Sequence, residues 1–225
     1  MAQHTKMKDI EIIELEHNSQ AWLDFRKTGI GGSDASAVLG LNPWKTNVEL
    51  WEEKSGLKPP KEVSCAEAVE YGSKAEVWLA KLFELDFPEY RLTTPKNIVY
   101  RRDGFMFASL DGELEDRAGR KGILEIKTST IFSSINRERW NEKIPQNYYI
   151  QLLHYLMVTG YDFAILKAQL KSSQQGGVYL QTRHYCIDVS DESVKGDIRY
   201  LREAERTFWE DVKSKKRPAL ILPQI

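Results

Sequence analysis

The chain has 225 residues, 41% hydrophobic and 29% charged, with 32 Lys+Arg against 33 Asp+Glu and a formal net charge of -1. That length suits one domain with a sizeable core, and the even charge balance means that any binding to nucleic acid needs a local basic patch or an assembled groove. No apolar run is long enough to cross a membrane, the first residues (Met1 to Glu11) are polar, and two cysteines, Cys65 and Cys186, exclude a disulfide framework, a four-cysteine zinc site and an iron–sulfur cluster, so a reducing, cytoplasmic setting without a secretory leader is expected.

The first patterned segment is Ser19–Thr28, where Trp22, Phe25 and Arg26 share one face of a short helix. Gly31-Gly32-Ser33 then reads as a turn feeding a helix capped by Ser33, running through Ala35–Leu39 and stopping at Gly40. Thr46-x-x-Glu49 is a capping box that opens a helix to about Lys54, and Ser64-x-x-Glu67 opens a longer one to about Glu84. On the inward stripe of that longer helix (Ala68, Gly72, Ala75, Leu79, Phe83) lies Glu76, a carboxylate that needs a partner or a metal.

Three strands are predicted over Arg91–Tyr100, Phe105–Asp111 and Gly122–Thr128, separated by Asp103-Gly104 and by Arg117–Gly122. A helix at about Ser133–Glu142 follows, then one opened by Pro145 and ended by Gly160. Two more strands, Tyr161–Leu170 and Val178–Val189, precede a last helix capped by Ser190 with Val194, Ile198, Leu201, Phe208 and Val212 on one face, and the tail Lys213–Ile225 is expected to pack late or fray. The order predicts a single α/β (α+β) domain over residues 1–225, with a mixed central sheet flanked by helices: N-terminal helices at about 19–84, sheet and helices at about 91–189, and a C-terminal helix at about 190–213.

Strand geometry singles out one cluster. Acid-x-Lys occurs three times, but Glu52-x-Lys54 and Asp211-x-Lys213 lie in helical patterns, where residues two apart do not share a face. Glu125-Ile126-Lys127 lies in a strand, so Glu125 and Lys127 project together while Ile126 enters the core. A hairpin brings Asp111 beside Glu125, and Glu76 is a candidate third carboxylate. Clustered carboxylate oxygens suit Mg²⁺, and a cation beside a lysine suits phosphodiester hydrolysis. The bland alternative is a solvated strand face with a charge pair. Ser33 at a helix start is a candidate anion site, although a plain N-cap is the commoner use of serine. A buried Gln151 must bond to something, and a lone His154 reads as a packed or exposed histidine.

Six ordered elements add to this: Trp22-x-x-x-Arg26, Gly31-Gly32-Ser33, Tyr71-Gly72-x-x-x-Glu76, Ser109-x-Asp111-Gly112, Glu125-x-Lys127-Thr128 and Tyr149-x-Gln151. Together, over about Gln20 to Gly160, the sequence resembles the phage lambda exonuclease / YqaJ-like viral recombinase family of the PD-(D/E)xK nuclease superfamily. The resemblance implies a restriction-endonuclease-like core and a 5′-to-3′ exonuclease on double-stranded DNA ends in phage recombination. It implies Mg²⁺ (Mn²⁺ as a substitute), mononucleotide products and a 3′ single strand passed to a single-strand annealing protein. A homotrimeric ring in the cytoplasm of a bacterial host, with no membrane involved, completes the implied picture. By position, Asp111, Glu125 and the Ile126 carbonyl match the metal ligands, and Lys127, Glu76 and Gln151 match the catalytic residues. Arg26, Ser33 and Ser109 match positions that hold DNA phosphate. Leu110 replaces the proline of the superfamily motif, a residue that ligates nothing. An endonuclease or RecB-like nuclease module, and a non-catalytic DNA-end-binding module, are the alternative readings.

Overall fold

The computed structural model describes residues 10–60, 66–174 and 176–222. In chain order it contains β1 (Ile10–Glu14), α1 (Gln20–Phe25) continuing into a 3-10 turn (Arg26–Thr28), β2 (Ile30–Gly31), α2 (Gly32–Val38), α3 (Asn47–Lys54) and α4 (Ala66–Asp86). Then come β3 (Arg91–Thr93), β4 (Ile98–Arg102), β5 (Met106–Ala108), β6 (Gly112–Glu115), β7 (Lys121–Ile131), α5 (Ser134–Glu138), α6 (Gln146–Thr159), β8 (Phe163–Gln174), β9 (Gly177–Asp188) and α7 (Glu192–Lys213).

The mixed α/β class expected from the sequence is what the chain forms. The central sheet has five strands in the order β3-β6-β7-β8-β9, and a second sheet has four in the order β1-β4-β5-β2. Both are mixed: β7 runs parallel to β8 and β2 parallel to β5, and the other pairs are antiparallel. The second sheet exists because the strand expected over 91–100 breaks in two. Pro95 has no N–H for a ladder, and Asn97 adopts φ 59°. Arg91–Thr93 therefore pairs with β6, and Ile98–Arg102 pairs with β1 and β5.

Other boundaries move for local reasons. Gly31, not Ser33, is the N-cap of α2, and Asp34 Oδ2 accepts from the Gly31 N–H at 3.4 Å. Pro145 is the N-cap of α6 rather than its first residue, and Gly160 ends that helix at φ 70° as expected. Asp191, not Ser190, caps α7 by accepting from the Ser193 N–H at 2.8 Å. The Thr46–Glu49 capping box forms as predicted; the Ser64–Glu67 box involves Ser64, outside the described residues, as is Cys65. The tail does not fray over its described part: Asn47 donates to the Ala219 carbonyl at 2.7 Å and accepts from Ile221 N–H at 3.0 Å.

The pleat of β7 sorts side chains to two cores. Ile123 joins the larger one with Leu152, Leu153 and Leu156 of α6, Leu166 of β8 and Leu201 of α7. Leu124 and Ile126 face the opposite side and pack with Leu79 and Phe83 of α4. Each such side chain contributes about 1.5–3 kcal/mol on burial. Glu125 and Lys127 share Ile123's parity, so they lie on the face that α6 covers. No helix among the described residues is long and apolar enough to cross a membrane.

Candidate active site

The β6–β7 hairpin builds the centre of the site. Gly112 pairs with Leu124, which brings the preceding Asp111 alongside Glu125 and Ile126. Asp111 sits just before β6 rather than ending β5, and its Oδ2 accepts the Ile126 N–H at 2.8 Å. In an antiparallel ladder the N–H and C=O of one residue face the same neighbour, so the Ile126 carbonyl is directed to the edge that Asp111 occupies. Glu125 is 2% exposed, with Lys127 Nζ 2.6 Å from its Oε1. Gln151 Nε2, reaching down from α6, donates to the same Oε1 at 2.7 Å and to the Tyr155 hydroxyl at 2.9 Å. Oε2 of Glu125 is buried without a hydrogen-bond partner. Glu76 approaches from α4, half-buried, close enough to Asp111 and Lys127 to feel both charges.

Three carboxyl groups and one ammonium share this space. Burial, then the Asp111 charge, push Glu125 up to about 8 against the pull of Lys127. Burial and Asp111 push Glu76 up to about 7. Burial also raises Asp111, although Lys127, the Ile126 N–H and the neighbouring Glu125 pull the other way. Burial works to discharge Lys127, but Glu125 and Asp111 outweigh it and hold the ammonium above the ordinary lysine range. One ammonium balances one carboxylate, so the cluster is short of positive charge. The unpartnered Glu125 oxygen and the oxygen-only donor set therefore fit a hard divalent cation. Among the described residues no three or more His, Cys, Asp or Glu are placed to hold a metal ion together, so the protein ligands would be two carboxylates and a carbonyl. Asp111, Glu125 and the Ile126 carbonyl would hold such an ion with water completing its shell, the arrangement Mg²⁺ favours.

A second group flanks the first. The Arg26 guanidinium lies 4.8 Å over the Trp22 ring and donates to Ser33 Oγ at 3.2 Å. Their positions are set by close packing: a Cβ on Gly32 would meet the Tyr155 ring at 2.3 Å, and one on Gly31 the Phe107 ring at 2.7 Å. The start of α2 is thus pressed onto α6 and β5, beside the carboxylates. Ser109 lies two residues before Asp111, half-buried. Asp111, Glu125, Ile126, Lys127, Glu76 and Gln151 fall in the first group and Arg26 and Ser33 in the second.

The sequence reading missed the support beneath Arg26. Lys54, on α3, pairs with Asp34 at 2.7 Å and donates to the Arg26 carbonyl at 2.7 Å, with both side chains almost fully buried. Burial raises Asp34, but the Lys54 and Arg26 charges prevail and hold its carboxyl at about 2. Breaking a buried pair by removing one partner costs about 3–5 kcal/mol. Lys54→Met should therefore lose about that much in urea unfolding, because Asp34 stays buried without its partner and the Arg26 carbonyl loses its donor. The only earlier signal was Glu52-x-Lys54, which carried no meaning in a helix. His17, also passed over, packs its ring on Trp22 at 4.4 Å. His154 is a packed histidine, fully buried, whose ring bonds elsewhere: Nδ1 lies 2.7 Å from Glu205 Oε1 and Nε2 2.9 Å from the Phe107 carbonyl.

The uncharacterized protein YqaJ of Bacillus subtilis (strain 168) is 36% identical over 198 residues, which is 87% of this chain and 57% of that protein, so the chain spans little more than half the length of this relative. An alkaline exonuclease, LHK-Exo, from Laribacter hongkongensis superposes with a TM-score of 0.56 at 15% identity, over 88% of this chain and 97% of that one. A phage-related exonuclease from Haemophilus somnus 129PT gives 0.56 at 15% identity, over 83% and 96%. At that identity the likeness is one of fold, the restriction-endonuclease-like mixed core expected from the sequence. The YqaJ-like viral recombinase domain matches residues 21–162, which span α4, the β6–β7 hairpin and α6, and the chain belongs to that family.

Proposed function

We propose that this chain is a metal-dependent deoxyribonuclease that degrades double-stranded DNA from its 5′ ends during phage recombination, releasing mononucleotides and leaving a 3′ single strand. The observation that carries the reading is the buried cluster of Asp111, Glu125 and Glu76 around Lys127, short of positive charge and flanked by the Arg26–Ser33 pair. The family supports it, as do two proteins of the same fold described as exonucleases.

When bound, Mg²⁺ (or Mn²⁺) supplies Lewis acidity, making a water easier to deprotonate and offsetting charge on the phosphate. The chain's own groups do the rest. Asp111, Glu125 and the Ile126 carbonyl would hold the ion. Lys127, kept as an ammonium by its carboxylate neighbours, donates to a phosphate oxygen and offsets the negative charge that builds there. Glu76, with its carboxyl near neutral pH, takes the proton of the attacking water. Gln151 locks the orientation of Glu125. Arg26, Ser33 and Ser109 hold DNA phosphate, with the 5′-terminal group at Arg26 and Ser33 setting polarity. A homotrimeric ring around the duplex and a single-strand annealing protein that receives the 3′ strand complete the proposal. The cytoplasm of a bacterial host is its setting.

One digestion series tests it: linear duplex with a 5′ phosphate, the same duplex with a 5′ hydroxyl, and a covalently closed circle, each with Mg²⁺ or EDTA. The expected result is rapid Mg²⁺-dependent loss of the phosphorylated linear DNA with the circle spared. Cleavage of the circle would make the protein an endonuclease. DNA binding by folded protein without any cleavage would make it an end-binding module.

A further inference from the structure

His17 stands on the Trp22 ring that also carries Arg26, although its sequence neighbourhood gives no hint of it. It lies in the loop between β1 and α1, and that loop is built rather than loose. Leu15 N–H donates to the Asn97 carbonyl at 2.7 Å, His17 N–H donates to Asn97 Oδ1 at 3.2 Å, and Ser19 N–H donates to the Glu16 carbonyl at 3.2 Å. Asn18, the next residue, takes φ 64°, a left-handed conformation that turns the chain sharply after His17. The Asn97 that receives two of these bonds is itself left-handed, at φ 59°. Two strained asparagines thus fix where His17 can be.

What they fix is a ring against the residue that carries Arg26. The His17 and Trp22 rings meet edge-on at 4.4 Å, with an interplanar angle of 61°. The Arg26 guanidinium lies 4.8 Å from the same indole, and from there donates to Ser33 Oγ. Trp22 is buried and the His17 side chain is exposed. An imidazole held by one edge on a buried indole keeps its ring nitrogens for solvent or a ligand, because its backbone N–H, not its ring, makes the bond to Asn97. Burial and the Arg26 charge both lower the His17 pKa, and the Asp111 charge raises it. The imidazole and the guanidinium thus share one indole, 4.4 Å and 4.8 Å from its ring.

A DNA end held at Arg26 and Ser33 lies beside the indole that carries His17. A phosphate on Arg26 and Ser33, with the next phosphodiester at Asp111 and Glu125, runs past His17. Imidazole N–H is a donor suited to phosphate oxygen.

Resting on the nuclease reading above, we infer that His17 is a third donor to the 5′-terminal phosphate, and with Arg26 and Ser33 sets the preference for a phosphorylated end. Its role is specificity: it touches the terminal group rather than the bond that breaks.

The test separates the ring's packing from its N–H. Phenylalanine at position 17 keeps an aromatic edge against Trp22 and removes the donor; alanine removes both. Wild type, His17→Phe, His17→Ala and Arg26→Ala are compared by fluorescence anisotropy on a short duplex with a 5′ phosphate or a 5′ hydroxyl, without divalent cation, and then by digestion rate in Mg²⁺. Thermal melts confirm that each variant is folded. One hydrogen bond to a charged group is worth about tenfold. His17→Phe should therefore lower the phosphate-over-hydroxyl ratio by about tenfold in both assays, and no less than His17→Ala does. A His17→Phe ratio equal to wild type overturns the inference and leaves the ring as packing for Trp22. If Arg26→Ala is also neutral and wild type has no preference, the terminal-phosphate site itself is wrong and the inference falls with it. If phosphate preference in binding depends on His17 yet no DNA is digested, the inference stands and the nuclease reading fails.

Discussion

Asp111→Asn is expected to slow DNA cleavage by about a thousandfold while leaving the protein, in EDTA, as stable as wild type or more stable. The substitution is nearly isosteric, and the amide oxygen can still accept the Ile126 N–H that Asp111 accepts now at 2.8 Å. What disappears is one of three carboxyl groups crowded around a single ammonium. Burial raises Asp111, Glu125 and Glu76 together, and the Asp111 charge raises the other two further, so holding these carboxylates costs the fold stability. Lys127→Met is the opposite case. It too should abolish cleavage, but it strips the cluster of its only ammonium and should lower stability. The pair of variants is read by single-turnover digestion in Mg²⁺ and by thermal melts in EDTA. Matching losses of stability in both would mean that the carboxylates are not in conflict, and the case for a cation would lose its main support.

The second large effect concerns stability alone. His154 and Glu205 are both fully buried, and the two ring nitrogens of His154 face acceptors, the Glu205 carboxylate and the Phe107 carbonyl. The Phe107 carbonyl calls for a hydrogen on Nε2, and a second hydrogen on Nδ1, facing Glu205, makes the ring an imidazolium. Burial works to discharge it, but the Glu205 charge and hydrogen bond outweigh burial and raise its pKa above 6.5. A raised folded value sets the direction of the pH dependence. The pair's contribution is complete below about 6.5, the unfolded value, and is lost as pH climbs through the higher folded value. His154→Ala leaves Glu205 buried without its partner and should cost about 3–5 kcal/mol near pH 6. Glu205→Gln keeps a donor facing Nδ1 of a neutral ring, so its deficit against wild type should shrink steadily as pH rises. Urea unfolding across pH 6 to 10 (a range of about four units around the window) reads both, and a deficit for Glu205→Gln that does not change with pH would mean the ring is neutral.

Local pattern carried much of this molecule, and distance along the chain hid the rest. The period-2 argument for Glu125 and Lys127 needs only neighbouring residues, and so does the hairpin that returns to them from Asp111. Glu76 was visible as a carboxylate in an apolar helical stripe. The split of the strand at Thr94–Asn97 was written in Pro95, yet β-branched and apolar neighbours masked it. β6 was missed because four residues between turns look like turn, and β1 because its burial is slight. Three pairings were beyond reach. Lys54 meets the Arg26 carbonyl 28 residues away, His154 meets Glu205 51 residues away, and His17 is positioned by Asn97 80 residues away. Each partner alone is an ordinary surface or core residue; only the fold gives it a role.

The layout of the central sheet also orders events in time. Asp111, Glu125 and Lys127 all come from one hairpin, whose two strands can pair as soon as residues 111–127 are free to do so. β7 and β8 are parallel, so that pairing must wait for the crossover through α5 and α6, and the lid of Gln151 and Tyr155 comes with it. Sequence-distant pairings of this kind form slowly. In the open hairpin, water screens the carboxylates from one another; they come into conflict only when α4 and α6 close over them. The electrostatic cost therefore falls on the last docking step, not on the nucleus. Substitutions that relieve it should slow unfolding and leave the rate of folding nearly unchanged.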